Sequence, residues 1–510
     1  MKAQSPYLRW SLLFIGIGLA VRLITLDLPI LEGAYIRQIQ TAAIARNLLD
    51  SGFDVLHPQI DILPEPRYFV LEPPLYNTAV AFLYLIFGVH EYLGRLVSIL
   101  AFCGTAWFIF RIAARNLNES VGRAAVFVFS FSPLSIIFTR AFQPDPAALF
   151  FSAALIYYFL EWVKGDAAAF KRACAFGILA FLTKQTFLFL LLPLSLCALY
   201  FKKKEIFKDA RSYLFLFLCM APPVAWSIHA RHAHQIFPSP IVKGNFEFSN
   251  WFSLAPYFQY ASYKTIFQWL SGLILTPFGF SLFVLGLFVR SEKDGDWILN
   301  FWLFGLFVFF AMFPIHATSH EYYYLPLLPA ASIVIGKAWW FVFEKDGGER
   351  LKGLFARPLK ILGALILGVS VYGFSNSGFN LPASVSHFRD ELEILNKNTR
   401  DGDLLIVKAS YQLYYANNRG WLFPAQPYGM GPQSVAKELD YWAKGERLEP
   451  TPAYLLESYR KAGAHYYFVS EVEEFNRHKE FADYVFARYN VVAQKEGVCI
   501  LFDLKHGPRG

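Results

Sequence analysis

Apolar runs close to the length of a membrane span recur along the chain, separated by short polar segments. The plausible spans are residues 10–28, 92–112, 121–139, 146–163, 172–184, 186–201, 212–231, 265–289, 297–314, 322–343 and 359–375. A helix of ~20 apolar residues crosses the ~30 Å hydrocarbon core, so the pattern predicts a polytopic α-helical membrane protein with about 11 transmembrane helices. The run 75–88 is different. It opens at Pro73-Pro74, a helix-start signal, and is short for a straight crossing. Beyond residue 375 the pattern changes. Apolar runs such as DLLIVKA and HYYFVSE alternate with helix-like stretches at 432–444 and 452–463, which reads as a small α/β domain. The expected organisation is a transmembrane domain, 1–375, whose first outer loop is 29–91, followed by a C-terminal domain, 376–510.

Charge decides the side on which each loop lies. If 75–88 does not cross and the N-terminus is cytoplasmic, inside segments hold 20 Lys and Arg residues, from Lys2 to Lys360, against 8 in the outer segments before the tail. If 75–88 crossed, every later loop would change sides and the bias would reverse. The positive-inside rule therefore favours a helix that lies on, or dips into, the outer face, with the C-terminal domain outside; the alternative is an ordinary short span in a protein with weak charge bias. Residues 10–28 are read as an uncleaved first span, because Arg22 interrupts the run and no cleavage-like site follows.

Composition agrees: 55% of the residues are hydrophobic and 17% charged, below the quarter usual for soluble proteins. The net charge of +8 resides in segments between apolar runs, so it serves orientation, and nucleic acid is not an expected partner. The five cysteines show neither disulfide nor zinc spacing.

Candidate chemistry gathers in the outer segments. AYIRQIQTAAIARNLLDSG (34–52) has helical apolar spacing and ends at Ser51-Gly52, with Arg37, Gln38 and Arg46 on it. Its arginines have a second reading, as contacts to lipid head groups. Glu72 precedes the double proline, where partial desolvation at the water–lipid boundary suits a proton acceptor; the alternative is a solvated loop carboxylate. RAFQPDPAALF (140–150) sets Arg140, Gln143 and Asp145 at the outer end of two spans, and Asp145 also suits a helix cap. Lys184 lies between two apolar helices, where an ammonium needs a carboxylate or a phosphate. HATSHEYYYLPLLPA places His316 and His320 four apart, before Glu321 and Tyr323; on a helix that spacing also fits zinc. His229, His232 and His234 have no acidic neighbour in sequence, and no metal is expected there. Cations and carboxylates converging on one face suit a lipid-linked, anionic, hydroxyl-rich substrate.

RQIQTAAIARNLLDSG, EPPLY, GVHEYLGRLVS, SPLSIIFTRAFQPD and HEYYYLPLLPA, in this order and spacing, resemble the GT-C superfamily of membrane glycosyltransferases, over roughly residues 10–345. The likeness is to the family of protein O-mannosyltransferases and the lipid A aminoarabinose transferase. It implies juxtamembrane helices in the first outer loop. It also implies an inverting transfer of sugar from a polyprenyl-phosphate donor to an acceptor on the periplasmic face, be it lipid A, another envelope glycan or a protein. The chain departs from the family at two points. Arg37 and Gln38 occupy the place of the usual Asp-Glu pair, and Glu72 stands where the aminoarabinose branch carries lysine. The expected base is therefore Glu72, ahead of Glu32, with Asp145 matching the second acidic position. Arg37, Gln38, Arg140, Lys184, His320, Glu321 and Tyr323 form the expected set for donor phosphate and substrate. Membrane lipids are the remaining partners. No cofactor is expected, a divalent metal being the less favoured alternative. An O-antigen ligase or polymerase, and a non-enzymatic transporter of lipid-linked sugar, are the rival readings.

Overall fold

The computed structural model describes residues 5–62, 65–237, 255–291, 293–345, 368, 372–373, 385–423 and 451–508. In chain order its first ten α-helices are α1 (Pro6–Leu23), α2 (Tyr35–Asp50), α3 (Leu75–Phe87), α4 (Glu91–Asn116), α5 (Glu119–Phe131), α6 (Pro133–Phe138), α7 (Asp145–Val163), α8 (Ala169–Thr183), α9 (Leu191–Lys202) and α10 (Ala210–Ile236). The chain forms two compact units. One comprises Met1–Ala34, Leu71–His232 and Asn245–Asn380; the other comprises Tyr35–Val70, Ala233–Gly244 and Leu381–Gly510.

The first unit is a multi-span helical bundle. Among the described residues six helices are long and apolar enough to cross a membrane: α1, α4, α7, Gln185–Phe207, α10 and Gly295–Met312. Several expected spans take a different form, and prolines explain two of them. The run 121–139 breaks at Ser132-Pro133 into α5 and the short α6. The run 265–289 is two helices, Tyr260–Ile274 and Thr276–Phe288, bent by 101° just ahead of Pro277. Helices α8 and Leu327–Phe343, with 15 and 17 residues, are shorter than a standard span. The expected span 359–375 lies largely outside the described residues. Helix α3 has 13 residues, or about 20 Å at 1.5 Å per residue. That is well short of the ~30 Å core.

Aromatic and aliphatic side chains of α4, α5, α7, α8 and α9 form one continuous core, with Phe102, Phe129, Phe181 and Phe187 buried in it. Arg22 fastens α1 to this core without any carboxylate. Its guanidinium donates to Thr139 Oγ1 (2.7 Å), Ser135 Oγ (2.8 Å) and the Gly18 and Ser130 carbonyls, and it lies 3.5 Å from the Phe102 ring centre. The charge that interrupts the first apolar run is thus a satisfied structural group. Helix Leu327–Phe343 packs closely on α5. A Cβ on Gly336 would fall 2.7 Å from the Val121 carbonyl oxygen, so only glycine allows this approach.

The second unit is an α/β fold around a five-stranded sheet in the order β2-β1-β3-β5-β4. Its strands are β1 (Leu404–Val407), β2 (Arg419–Leu422), β3 (Tyr466–Val469), β4 (Asn490–Lys495) and β5 (Cys499–Asp503). β1 runs parallel to both β2 and β3, and β5 is antiparallel to β3 and β4. DLLIVKA and HYYFVSE thus supply β1 and β3, and the stretch 452–463 supplies the helix Pro452–Lys461. The helix-like stretch 432–444 lies outside the described residues.

Helix α2 belongs to this unit. It ends where Gly52 adopts a φ of 68°, as the Ser51-Gly52 signal predicts. It is buried on most sides, including Gln38, Thr41 and Asn47. Its Arg46 pairs with Asp61 at 2.7 Å, donates to the Tyr414 carbonyl (2.8 Å) and lies over the Tyr414 ring. That arginine meets protein, contrary to the lipid head-group reading.

Candidate active site

Two buried ion-pair clusters sit at one end of the bundle. In the first, the bend after α1 delivers Glu32, fixed by the fully buried Ile30 and Leu31. Glu32 Oε1 meets the Arg95 guanidinium at 2.6 Å and Arg140 at 4.0 Å, and all three side chains are about 1% exposed. Arg95, one turn into α4, also donates to the Thr25 and Pro29 carbonyls. Arg140 lies in the junction between α6 and α7. Burial lowers its pKa to about 10, with Glu32 acting against the shift and Arg95 adding to it, so it stays charged at neutral pH.

In the second cluster, Asp145 opens α7 and forms an ion pair with Lys184, both 3% exposed. Lys184 leaves the helix at the end of α8, with φ −154° and ψ 111°, which turns its side chain away from the α8 ladder. The ammonium lies 5.1 Å and 5.4 Å from the ring centres of Tyr322 and Tyr323. His320 stacks on Tyr322 at 5.2 Å, and His316 meets Tyr323 at 4.2 Å. Asp145 Oδ2 and both amide atoms of Gln143 are buried with no hydrogen-bond partner among the described residues. The capping reading of Asp145 is not realised, because its side chain holds Lys184 and caps no backbone N–H.

The helix after the double proline braces the same region. Tyr76 on α3 donates to the Gly94 carbonyl (2.7 Å) and meets Ser98 Oγ (3.0 Å), which in turn donates to the Ala141 carbonyl (2.7 Å). Tyr76 also lies within electrostatic range of Arg95 and Asp145. In EPPLY, then, the tyrosine reaches the charged cluster. Glu72 is half-buried on the bend ahead of Pro73.

The structure therefore joins Glu32 to Arg140, and Asp145 to Lys184, Tyr323 and, through the rings, His320. Glu321 is half-buried in the 3-10 turn Glu321–Tyr324. Arg37 and Gln38 lie on α2 in the other unit, where Arg37 donates to Gln40 at 3.0 Å and Gln38 is buried. The helical zinc spacing does not form. His316 is on the helix Pro314–Ser319, whereas His320 is extended beyond its end. Among the described residues no three His, Cys, Asp or Glu side chains group as a metal set. Arg95 was not singled out in the sequence, although an arginine inside an apolar run was itself the signal that a buried partner exists.

The fold is that of the GT-C membrane glycosyltransferases. More particularly, the chain is similar to ArnT from Cupriavidus metallidurans. The similarity has a TM-score of 0.65 at 16% identity to the structure bound to undecaprenyl phosphate, covering 98% of this chain and 99% of that one. It has a TM-score of 0.69 at 15% identity to the apo state, covering 99% and 100%. It is also similar to the Archaeoglobus fulgidus oligosaccharyltransferase, with a TM-score of 0.58 at 11% identity over 94% of this chain and 73% of that one. Residues 71–229 match the profile of the family described as dolichyl-phosphate-mannose-protein mannosyltransferase. No curated protein matches the chain by sequence.

Proposed function

We propose that the protein is an inverting glycosyltransferase that moves a sugar from a polyprenyl-phosphate donor to an acceptor hydroxyl on the outer face of a bacterial inner membrane. The observation that carries this reading is the start of α7, where Asp145 Oδ2 and both amide atoms of Gln143 are buried beside Lys184 and make no hydrogen bond among the described residues. Arg95, Arg140 and Lys184 gather in the two clusters with Glu32 and Asp145, all at nearly complete burial. Cations at that depth suit an anion, and a lipid phosphate in this fold supplies one. The 71–229 family match, which spans Arg95, Arg140, Asp145 and Lys184, supports the same assignment, as does the likeness to an ArnT structure with undecaprenyl phosphate bound.

The carboxylates divide by environment. Glu32 is engaged by two guanidiniums and serves to hold Arg140 in place. Among the described residues Asp145 Oδ2 accepts no hydrogen bond, and the Gln143 amide makes none, so Asp145 becomes the preferred base over Glu72. In the proposed step the acceptor oxygen attacks the anomeric carbon and its proton passes to Asp145. The bond from that carbon to the phosphate oxygen breaks, and polyprenyl phosphate leaves with the electron pair. One displacement inverts the sugar. Lys184 and Arg140 stabilise the leaving phosphate, and Lys184 relaxes its hold on Asp145 as the phosphate gains charge. Gln143, Tyr323 and His320 offer hydrogen bonds to the sugar.

The test is release of undecaprenyl phosphate from a panel of undecaprenyl-phosphate monosaccharides by purified protein in bilayers containing envelope glycolipids. Wild type releases it from one donor, and Asp145→Asn is slower by about 10²–10⁴, the usual contribution of a positioned base. Full activity of Asp145→Asn overturns the mechanism. Movement of intact donor across the bilayer with no release favours the transporter reading.

A further inference from the structure

Residues 139–145 run from the end of α6 to the first residue of α7 and carry Arg140, Gln143 and Asp145. Their neighbours in this stretch are tied to other helices. Arg22 of α1 donates to Thr139 Oγ1 at 2.7 Å. Ser98 of α4 donates to the Ala141 carbonyl at 2.7 Å. Phe142 is fully buried against α4, where a Cβ on Gly94 would fall 2.2 Å from its ring. The Tyr76 ring meets Phe142 edge-on at 5.9 Å.

Tyr76, 3% exposed, stands at the centre of these ties. A hydroxyl has one proton to give. That of Ser98 goes to Ala141, so Tyr76 supplies the proton between the two hydroxyls, 3.0 Å apart, and shares it with the Gly94 carbonyl at 2.7 Å. The same oxygen faces the Gln143 backbone. A phenylalanine at this place keeps the ring contact with Phe142 and loses only the polar ties.

We propose that Tyr76 is a positioning residue for the transfer step, an inference that rests on the reading of the protein as a glycosyltransferase with Asp145 as base. Its hydroxyl acts through Ser98 and the Gln143 backbone. It holds the junction so that Asp145 Oδ2 and the Gln143 amide meet the acceptor and the sugar at reacting distance. A shift of about 1 Å in such a group slows a reaction by up to about 10²-fold. Arg140 is held separately, beside Glu32 at 4.0 Å, so the loss falls on kcat and not on donor binding.

The test joins turnover of the preferred undecaprenyl-phosphate monosaccharide in bilayers to hydrogen–deuterium exchange of residues 140–143. Tyr76→Phe is expected to lower kcat at least tenfold, with KM for the donor within about twofold of wild type. Exchange in 140–143 rises at least tenfold, while the melting temperature falls by no more than about 4 °C. Ser98→Ala gives the same pattern, and the double variant is no slower than the slower single variant, because both act on one tie. Leu85→Ala, on the exposed side of α3, keeps wild-type values. Unchanged exchange in Tyr76→Phe overturns the proposal, as does wild-type kcat, a loss confined to KM, or full additivity with Ser98→Ala. If exchange rises as expected but the wild-type protein releases undecaprenyl phosphate from no donor, the transfer reading falls and Tyr76 stands only as the anchor of the junction.

Discussion

Replacing Arg95 by methionine takes from Glu32 its shortest ion pair, at a cost that the geometry sets against that of losing Arg140. Glu32 Oε1 lies 2.6 Å from Arg95 and 4.0 Å from Arg140. With an effective dielectric near 20, the gross attraction is about 6 kcal/mol for the first pair and about 4 kcal/mol for the second. Desolvation returns part of each, and breaking a buried pair typically costs about 3–5 kcal/mol. Arg95→Met also strands the Thr25 and Pro29 carbonyls that the guanidinium serves. Arg95→Met is expected to lose about 3–5 kcal/mol, seen as a fall of roughly 3–5 °C in thermal unfolding in detergent. Arg140→Met leaves Glu32 with its shorter partner, so its stability loss stays below about 2 kcal/mol, while donor turnover falls at least tenfold. The double variant Glu32→Gln with Arg95→Met removes both charges and should be more stable than Arg95→Met alone. If Arg140→Met destabilises as much as Arg95→Met, or if the two changes in the double variant simply add, the division into a holding pair and a phosphate-facing arginine is wrong.

Other predictions follow from the same contacts. Lys184→Gln loses both donor turnover and stability; adding Asp145→Asn recovers stability, because the stranded carboxylate is gone, but not turnover, as calorimetry and phosphate release together would reveal. Burial, with Lys184 and His320 nearby, lowers the pKa of His316 from 6.5 to about 4. Between those values the unfolded chain binds a proton that the native chain refuses, so stability falls as pH drops from 6.5 toward 4, by up to about 1.4 kcal/mol per pH unit. His316→Gln should flatten that part of a melting profile. In the sheet, a Cβ on Gly420 would fall 1.8 Å from the Leu405 carbonyl oxygen, so Gly420→Val should cost more than about 2 kcal/mol and loosen hydrogen-exchange protection of β1 and β2.

Local signals carried much of the fold. Pro73-Pro74 marks the start of α3, the prolines around Asp145 mark the start of α7, and β-branched and aromatic runs mark β1 and β3. These features were legible because each is decided by residues within a few positions. The misread segments failed for physical reasons of two kinds. Runs 121–139 and 265–289 have enough apolar residues for one span, but Pro133 and Pro277 break them. The spacing of His316 and His320 presumed a helix that ends at Ser319. Ion pairs were harder. Glu32 finds Arg95 63 residues away and Asp145 finds Lys184 39 residues away, and no periodicity within a window reports such pairings.

Residues that build this end of the bundle differ from residues offered to a ligand in how fully their polar atoms are met. A charge buried for structure alone is fully met by protein oxygens, and Arg22 is the internal standard, with four oxygen contacts and a phenyl ring. Asp145 Oδ2 and the Gln143 amide are as deeply buried yet make no hydrogen bond among the described residues. Leaving such groups unmet costs about 1–3 kcal/mol each, and a bundle selected for stability alone would replace them with apolar side chains of similar volume at little loss. Under the proposed function, a polar, anionic substrate would meet these groups when it binds. Glu72, on a half-exposed bend, lacks that signature, and so Asp145→Asn and not Glu72→Gln is the substitution expected to slow transfer by about 10²–10⁴.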